Sequence, residues 1–286
     1  MLFLIISVCA LSLIVGIFVV QTKKNHHFLQ SRFNQIIGLR QLIHLLRFHR
    51  RHAHQILTQD NNPTQSQPVI HAESMAIQAL LQSLITQTDT SSKPMYRILQ
   101  KRITTLLSDW PKYSLLRNQS SHGKAIRHVL YLIDDILTQS LLATDKQYLL
   151  HQYQTVWPIT LNAIDSLSRF RYTIHNYTAD SSAMEKELLL HTQILKRRLN
   201  QMVLSKSNAI PPLLIESLFA QFNEIDLKNS HGRQANRELY ALSLQISDTL
   251  FNLFDNVLID IANEVSVKLP SISPTENRVG SKLERI

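Results

Sequence analysis

An apolar run, Leu2–Val20, opens the sequence. Only two serines and one glycine interrupt it weakly, and its length matches the roughly 20 residues that a helix needs to cross the hydrocarbon layer of a bilayer. No Lys or Arg precedes the run and no small-x-small cleavage site follows it, although a cleaved signal peptide would require both. The sequence therefore predicts a retained, single-pass membrane anchor over residues 1–22.

Positive charge follows this run and is absent before it, apart from the α-amino group. Because Lys and Arg next to a span stay on the cytoplasmic side, we expect the rest of the chain on the cytoplasmic face of the membrane. The formal net charge of the chain is +9, which suits anionic lipid, nucleic acid or small anions and does not choose among them. The basic residues nearest the run are Lys23, Lys24, Arg32, Arg40, Arg47, Arg50 and Arg51.

Helical periodicity and a shortage of glycine define the fold class after the anchor. The chain has 5 glycines in 286 residues, which argues against all-β and dinucleotide-binding folds, because both use glycine in tight turns. Apolar residues recur at intervals of three and four, so we expect an all-α chain of about seven to eight helices in antiparallel bundles. The predicted domain is 23–268, followed by a flexible tail, 269–286. Its predicted helices cover about 25–58, 70–87, 95–107, 124–142, 146–177, 183–204, 211–227 and 233–268.

Two local signals predict irregularities in these helices. The segment Ser120-Ser121-His122-Gly123 is typical of a helix start, so a helix is expected to begin near residue 124. Pro158 lies inside the predicted helix 146–177 and should kink or split that helix near Trp157.

The sequence does not indicate catalytic or cofactor chemistry. The single cysteine, Cys9, lies in the apolar run, and the chain lacks Walker, dinucleotide-binding and zinc-protease motifs. His49 and His52 have a spacing that a metal could use, but three arginines surround them and no carboxylate does. We expect no cofactor, no metal site and no enzymatic activity, and we find no helix-turn-helix or basic-aromatic pattern that indicates nucleic-acid binding.

Arginines occupy positions of the first helix where apolar residues would otherwise fall. Arg47, Arg50, Arg51 and His54 are spaced so that they share one helix face. Burying an unpaired arginine is costly, so each of these side chains needs a carboxylate, a phosphate or a bound anion. The same face contains Phe33, Ile36, Ile37, Arg40, Ile43 and Leu57.

The predicted helix 146–177 repeats this feature with Arg171, and Arg169 lies nearby. Two helices that each present arginine could hold a small planar oxyanion such as nitrate, nitrite or a carboxylate, since guanidinium groups match planar oxyanions. Two other interpretations stay open. The arginines could be solvated and cover apolar surface, or they could pair with Asp134, Asp135 or Asp165.

These two segments resemble the signature helices of the bacterial nitrate- and nitrite-sensing domain family. In the stretch Leu42–Leu57, Arg50 matches the arginine of the family's first motif. In the stretch Ile164–Arg171, Arg171 matches the arginine of the second motif. The resemblance implies an all-helical domain that binds nitrate or nitrite between these two helices.

With this resemblance, the expected anion site contains Arg50 and Arg171, helped by Arg47, Arg51 and Arg169. The expected function is sensory: an anchored domain in the inner membrane binds the anion and passes the signal to an unidentified protein partner or through a homodimer. The alternative is a non-enzymatic membrane scaffold whose basic helix lies along anionic lipid headgroups.

Overall fold

A computed structural model describes residues 2–58, 63–177, 181–204, 212–225 and 232–270. Within these ranges, the side chains of residues 2–10, 63–66, 204, 212–214 and 232–233 lie outside the description. The predicted anchor and the predicted tail are therefore described only in part: the tail from residue 271 onward, and the anchor's side chains up to residue 10, lie outside the described residues.

Eight α-helices and one short 3₁₀ turn account for most of the described residues, which contain no β-strand. The prediction of an all-α fold is confirmed. The helices are α1 (Leu2–Leu57), α2 (Pro63–Gln87), α3 (Lys93–Asp109), α4 (Leu115–Leu142), α5 (Gln147–Asn176), α6 (Ser182–Leu204), α7 (Pro212–Glu224) and α8 (Gly232–Glu264), and the 3₁₀ turn is Trp110–Lys112.

The helices pack into a bundle around one main apolar core, and a smaller apolar cluster lies apart from it. Helix α1 packs along α2 and α4, whereas α5 packs along α6 and α8, and α4 contacts α5 and so joins the two groups. Helix α8 runs antiparallel to α1, because Arg40 pairs with Asp255 near the start of the bundle while His54 stacks on Tyr240 further along. Long side chains, rather than close backbones, fill the space between α1 and α8, which leaves room for a cavity there.

Helix α1 has two sections with different surroundings. From Phe33 onward its apolar residues are buried at intervals of three and four, as the sequence predicts, and they include Ile36, Leu39, Leu42 and Leu46. Before Phe28 the described side chains are exposed, including eight large apolar ones between Leu11 and Val20. In the part of the chain that the structure describes, no helix is both long and apolar enough to cross a membrane.

The predicted helix start near residue 124 and the predicted split at Pro158 are both wrong. Helix α4 begins at Leu115, where the Ser114 hydroxyl accepts a hydrogen bond from the Arg117 amide, and Gly123 lies inside the helix. Helix α5 continues through Pro158. That proline faces solvent, as does Gln154 one turn earlier, so water can reach the carbonyl whose helical partner is missing.

Candidate functional site

The arginines of α1 point into the bundle and away from solvent. Arg40 is 3% exposed and Arg50 is 6% exposed, although both are charged and lie on a helix that also has an exposed face. They follow the same spacing as the apolar core residues of α1, so the helix places them against α8. The chain therefore buries positive charge where a core would usually be apolar.

Two carboxylates of α8 pair with three of the α1 arginines. Asp255 accepts a hydrogen bond from Nε of Arg40 at 2.8 Å. Asp248 pairs with Arg47, and its second oxygen lies 3.5 Å from Arg51. The guanidinium group of Arg47 also lies 4.4 Å from the centre of the Phe251 ring, a cation–π contact that further fixes its position.

Two buried arginines have no such carboxylate. Among the described residues, neither Arg50 nor Arg171 forms an ion pair, and Nε of Arg50 is buried without a hydrogen-bond partner. Arg171, on α5, is 7% exposed and donates from Nε to the Ser243 hydroxyl and from a terminal nitrogen to the Ser243 carbonyl, each at 3.0 Å. Neutral oxygens orient Arg171 but do not cancel its charge.

Burial, together with repulsion from a neighbouring arginine, lowers the pKa of each of these two guanidinium groups. Burial lowers the pKa of Arg171 well below its usual value, and the nearby charge of Arg50 lowers it further. Burial likewise lowers the pKa of Arg50, and it lowers the pKa of Arg47 to about 10. Because arginine stays protonated in proteins, these shifts express a cost of holding close cations away from water. An anion bound between them would offset that cost.

A cavity of about 340 Å³ opens beside this arginine cluster, between α1 and α8. Four arginines and two aspartates contribute to its wall, so the wall carries a net charge of +2. The remaining wall is largely aliphatic and aromatic. The lining residues are Arg40, Ile43, His44, Arg47, Phe48, Arg50, Arg51, Leu244, Ser247, Asp248, Phe251, Asn252, Phe254 and Asp255.

The structure brings together most of the arginines that the sequence singled out. Arg47, Arg50 and Arg51 line the cavity. Arg171 lies behind the wall, against the residue that precedes Leu244, and does not line the cavity itself. Arg169 is exposed, because residues two apart on a helix point to nearly opposite sides. The expectation that Arg169 joins the other four is not met.

The contribution of α8 was missed from the sequence. The triplet Ser247-Asp248-Thr249 is too common to indicate a site, yet Ser247 and Asp248 both line the cavity. Tyr240, about two turns before them, is among the groups that act to raise the pKa of both Arg50 and Arg171. Asp248 and Asp255 are seven residues apart, as are Arg40 and Arg47, but this shared spacing does not by itself show that the two helices face each other.

Two buried histidines lie next to the arginine cluster, on the side facing α2 and α4. Nδ1 of His49 lies 2.9 Å from Nε2 of His122, whose other ring nitrogen donates to the Asn118 carbonyl at 2.9 Å. On its far side, Nε2 of His49 lies 3.2 Å from the Ser74 hydroxyl. Burial lowers the pKa of His49 to about 4 and lowers the pKa of His122 well below its usual value.

His49 and His52, whose spacing a metal could use, point in different directions. His49 faces His122, whereas Nδ1 of His52 lies 2.8 Å from a carboxylate oxygen of Glu73 on α2. Within the described residues, no group of three or more His, Cys, Asp or Glu side chains is arranged to hold a metal ion.

Comparisons of the chain with protein-family models, with curated proteins and with solved structures gave no match.

Proposed function

We propose that this chain is a membrane-anchored sensory domain that binds a small oxyanion, nitrate or nitrite, at the arginine cluster of α1 and α5, next to α8. The observation that carries the proposal is the burial of Arg50 and Arg171 without a carboxylate partner. The charge of Arg50 disfavours the charge of Arg171, and Asp248 favours both charges without forming an ion pair with either, so this burial is costly unless an anion joins the two groups. Charge-assisted hydrogen bonds from guanidinium groups suit a planar oxyanion.

The signal is proposed to arise from a population shift. Without anion, repulsion between Arg50 and Arg171 favours separation of α1 from α5 and α8, whereas bound anion favours the closed bundle. Since Ser243 of α8 holds Arg171, and Asp248 of α8 holds Arg47, both arginine-bearing helices are linked to α8. We propose that a protein partner, or a second copy of the chain, reads this change.

Membrane anchoring is proposed from the first section of α1. Its large apolar side chains between Leu11 and Val20 are 45% to 72% exposed, and none packs on the bundle. A contiguous apolar surface of this kind is unfavourable in water and is typical of segments that contact lipid or protein. The lysines that follow, Lys23 and Lys24, suit the cytoplasmic face of the inner membrane.

The alternative, a scaffold whose basic helix contacts lipid headgroups, needs these arginines at the surface. Arg40 and Arg50 are instead buried, and Arg47 has a side chain that is 13% exposed and pairs with Asp248. The positions of these side chains favour a ligand inside the bundle over headgroups outside it. If co-sedimentation of the full chain with vesicles responded to anionic lipid and nitrate had no effect, the scaffold would be the better proposal.

Thermal unfolding of the full chain in detergent tests the proposal. Nitrate, nitrite, chloride and sulfate are compared at matched ionic strength. A specific site at about 100 times its dissociation constant should add about 2.7 kcal/mol, which corresponds to several degrees in Tm. Equal stabilisation by all four anions would indicate general screening of a basic protein and would overturn the proposal.

Asp248 competes with the anion for Arg47 and Arg51, which yields a second prediction. Asp248→Asn removes a carboxylate at the cavity wall and raises the net charge of that wall by one unit. We expect nitrate to bind about five- to tenfold more tightly, since removing a nearby charge of the same sign as the anion, at a partly exposed site, is worth on the order of 1 kcal/mol. Isothermal titration measures the change.

Glu216→Gln is the control for Asp248→Asn, because Glu216 is a similarly exposed carboxylate that pairs with Lys196 away from the cavity. Weaker nitrate binding in Asp248→Asn would show that Asp248 positions the arginines more than it competes for them.

A further inference from the structure

The cavity is much larger than the anion that its arginines suit. A volume of about 340 Å³ equals the volume of about eleven molecules in liquid water, at roughly 30 Å³ each. Nitrate would occupy only the volume of about one or two water molecules. Volumes of this order are typical of sites that hold organic ligands.

The polarity of the wall changes along the cavity. The Arg47–Asp248 pair and the Arg40–Asp255 pair bridge α1 and α8 about two turns apart. Between these pairs the wall is apolar and contains Ile43, Phe251 and Phe254. All three side chains are buried in the bundle, with exposed fractions between 1% and 8%. Arg50 lies beyond the Arg47–Asp248 pair, so one end of the cavity is cationic and its middle is apolar.

We infer that this site accepts an organic carboxylate with a compact apolar body, for which nitrate is a fragment that fills only the cationic end. The carboxylate would lie at Arg50 and Arg47, and the body would extend toward Ile43 along the ring of Phe251. The inference rests on the proposed function, because the carboxylate would take the place of nitrate at Arg50, which both share, and it specifies a ligand class for that site.

Isothermal titration of the full chain in detergent, with a detergent blank, tests the inference. The probes are benzoate, acetate, nitrate and benzyl alcohol, at matched ionic strength and pH. Because the benzoate ring would leave water for the apolar wall, we expect benzoate to bind at least about tenfold more tightly than acetate. Benzyl alcohol, which has the ring without the charge, should bind at least about tenfold more weakly than benzoate.

A pair of variants locates the body of the ligand. Asn252 is exposed and lines the apolar part of the cavity, so Asn252→Phe fills that space from its rim. We expect Asn252→Phe to weaken benzoate at least fivefold while leaving nitrate unchanged. Gln245→Phe is the control, because Gln245 is also exposed on α8 but does not line the cavity. Circular dichroism establishes that both variants are folded.

The outcomes separate this inference from the proposed function. If nitrate binds and benzoate binds no more tightly than acetate, the inference is overturned and the proposed function stands. If benzyl alcohol binds as tightly as benzoate, or if Asn252→Phe and Gln245→Phe behave alike, the inference is also overturned. If no anion binds at all, both fail.

Discussion

Replacing Arg171 with methionine should stabilise the anion-free chain by about 1–4 kcal/mol, although the substitution removes two hydrogen bonds to Ser243. The buried guanidinium group of Arg171 has no carboxylate partner and is repelled by Arg50, whereas methionine fills a similar volume without charge. Ser243 loses little, because its hydroxyl still donates to the Tyr240 carbonyl at 2.7 Å. The same variant should lose its response to nitrate.

Urea unfolding of the full chain in a buffer without oxyanions measures this effect, and Arg169→Met is the matched control. Arg169 is a neighbouring arginine on the same helix but is exposed, so its replacement should change stability by no more than about 0.5 kcal/mol. A destabilisation of Arg171→Met by more than about 1 kcal/mol would mean that Arg171 holds α5 to α8 as a structural residue.

Acidification should destabilise the chain by about 3 kcal/mol through the pair His49 and His122. The folded state lowers the pKa of His49 from 6.5 to about 4, because burial and the charge of His52 disfavour the protonated ring. Between these values the unfolded chain binds a proton that the folded chain does not. Stability therefore falls as pH decreases from about 6.5 to about 4, and it is independent of these rings above pH 7.

The groups around these two imidazole rings would do little to stabilise a positive charge added by protonation. Arg50 and His52 are cationic or basic, Glu73 already pairs with His52, and Ser74 and Asn118 are neutral. Equilibrium unfolding of the full chain is measured at pH 7.5, 6.5, 5.5 and 4.5. The double variant His49→Phe with His122→Leu should lose about 3 kcal/mol of the pH dependence, while replacement of the exposed His151 by leucine should keep it. An unchanged slope in the double variant would assign the acid sensitivity to other groups.

The fold was predictable because local periodicity and burial agree along most helices. Phe33, Ile36, Leu39 and Leu46 recur at helical intervals, and all four are buried on the face of α1 that packs on its neighbours. The start of α4 was not predictable in the same way. Its first turns are polar and contain Gly123, which is typical of a loop, but Asn118 and His122 are fully buried there against α1. Tertiary packing overrides the local signal in that segment.

Only the α1 side of the candidate site could be predicted from the sequence, and the α8 side could not. An arginine at a core position, such as Arg50, signals by itself that something must neutralise it. Which carboxylates do so depends on how α8 packs on α1, and Asp248 lies about 200 residues away in sequence from Arg47. Periodicity within one helix contains no information about such a distant pairing. Arg169 was misplaced for a simpler reason: proximity in sequence to Arg171 does not place two residues on one helix face.

Direct binding of nitrate to Arg50 and Arg171 is the most immediate test. Isothermal titration of the full chain in detergent, with nitrate replacing chloride at constant ionic strength, should give one saturable site. Arg50→Gln and Arg171→Gln should each abolish that binding, and Arg169→Gln should preserve it. Absence of saturable binding in the unaltered chain, or undiminished binding in both Arg50→Gln and Arg171→Gln, would contradict the assignment of these buried arginines to an anion site.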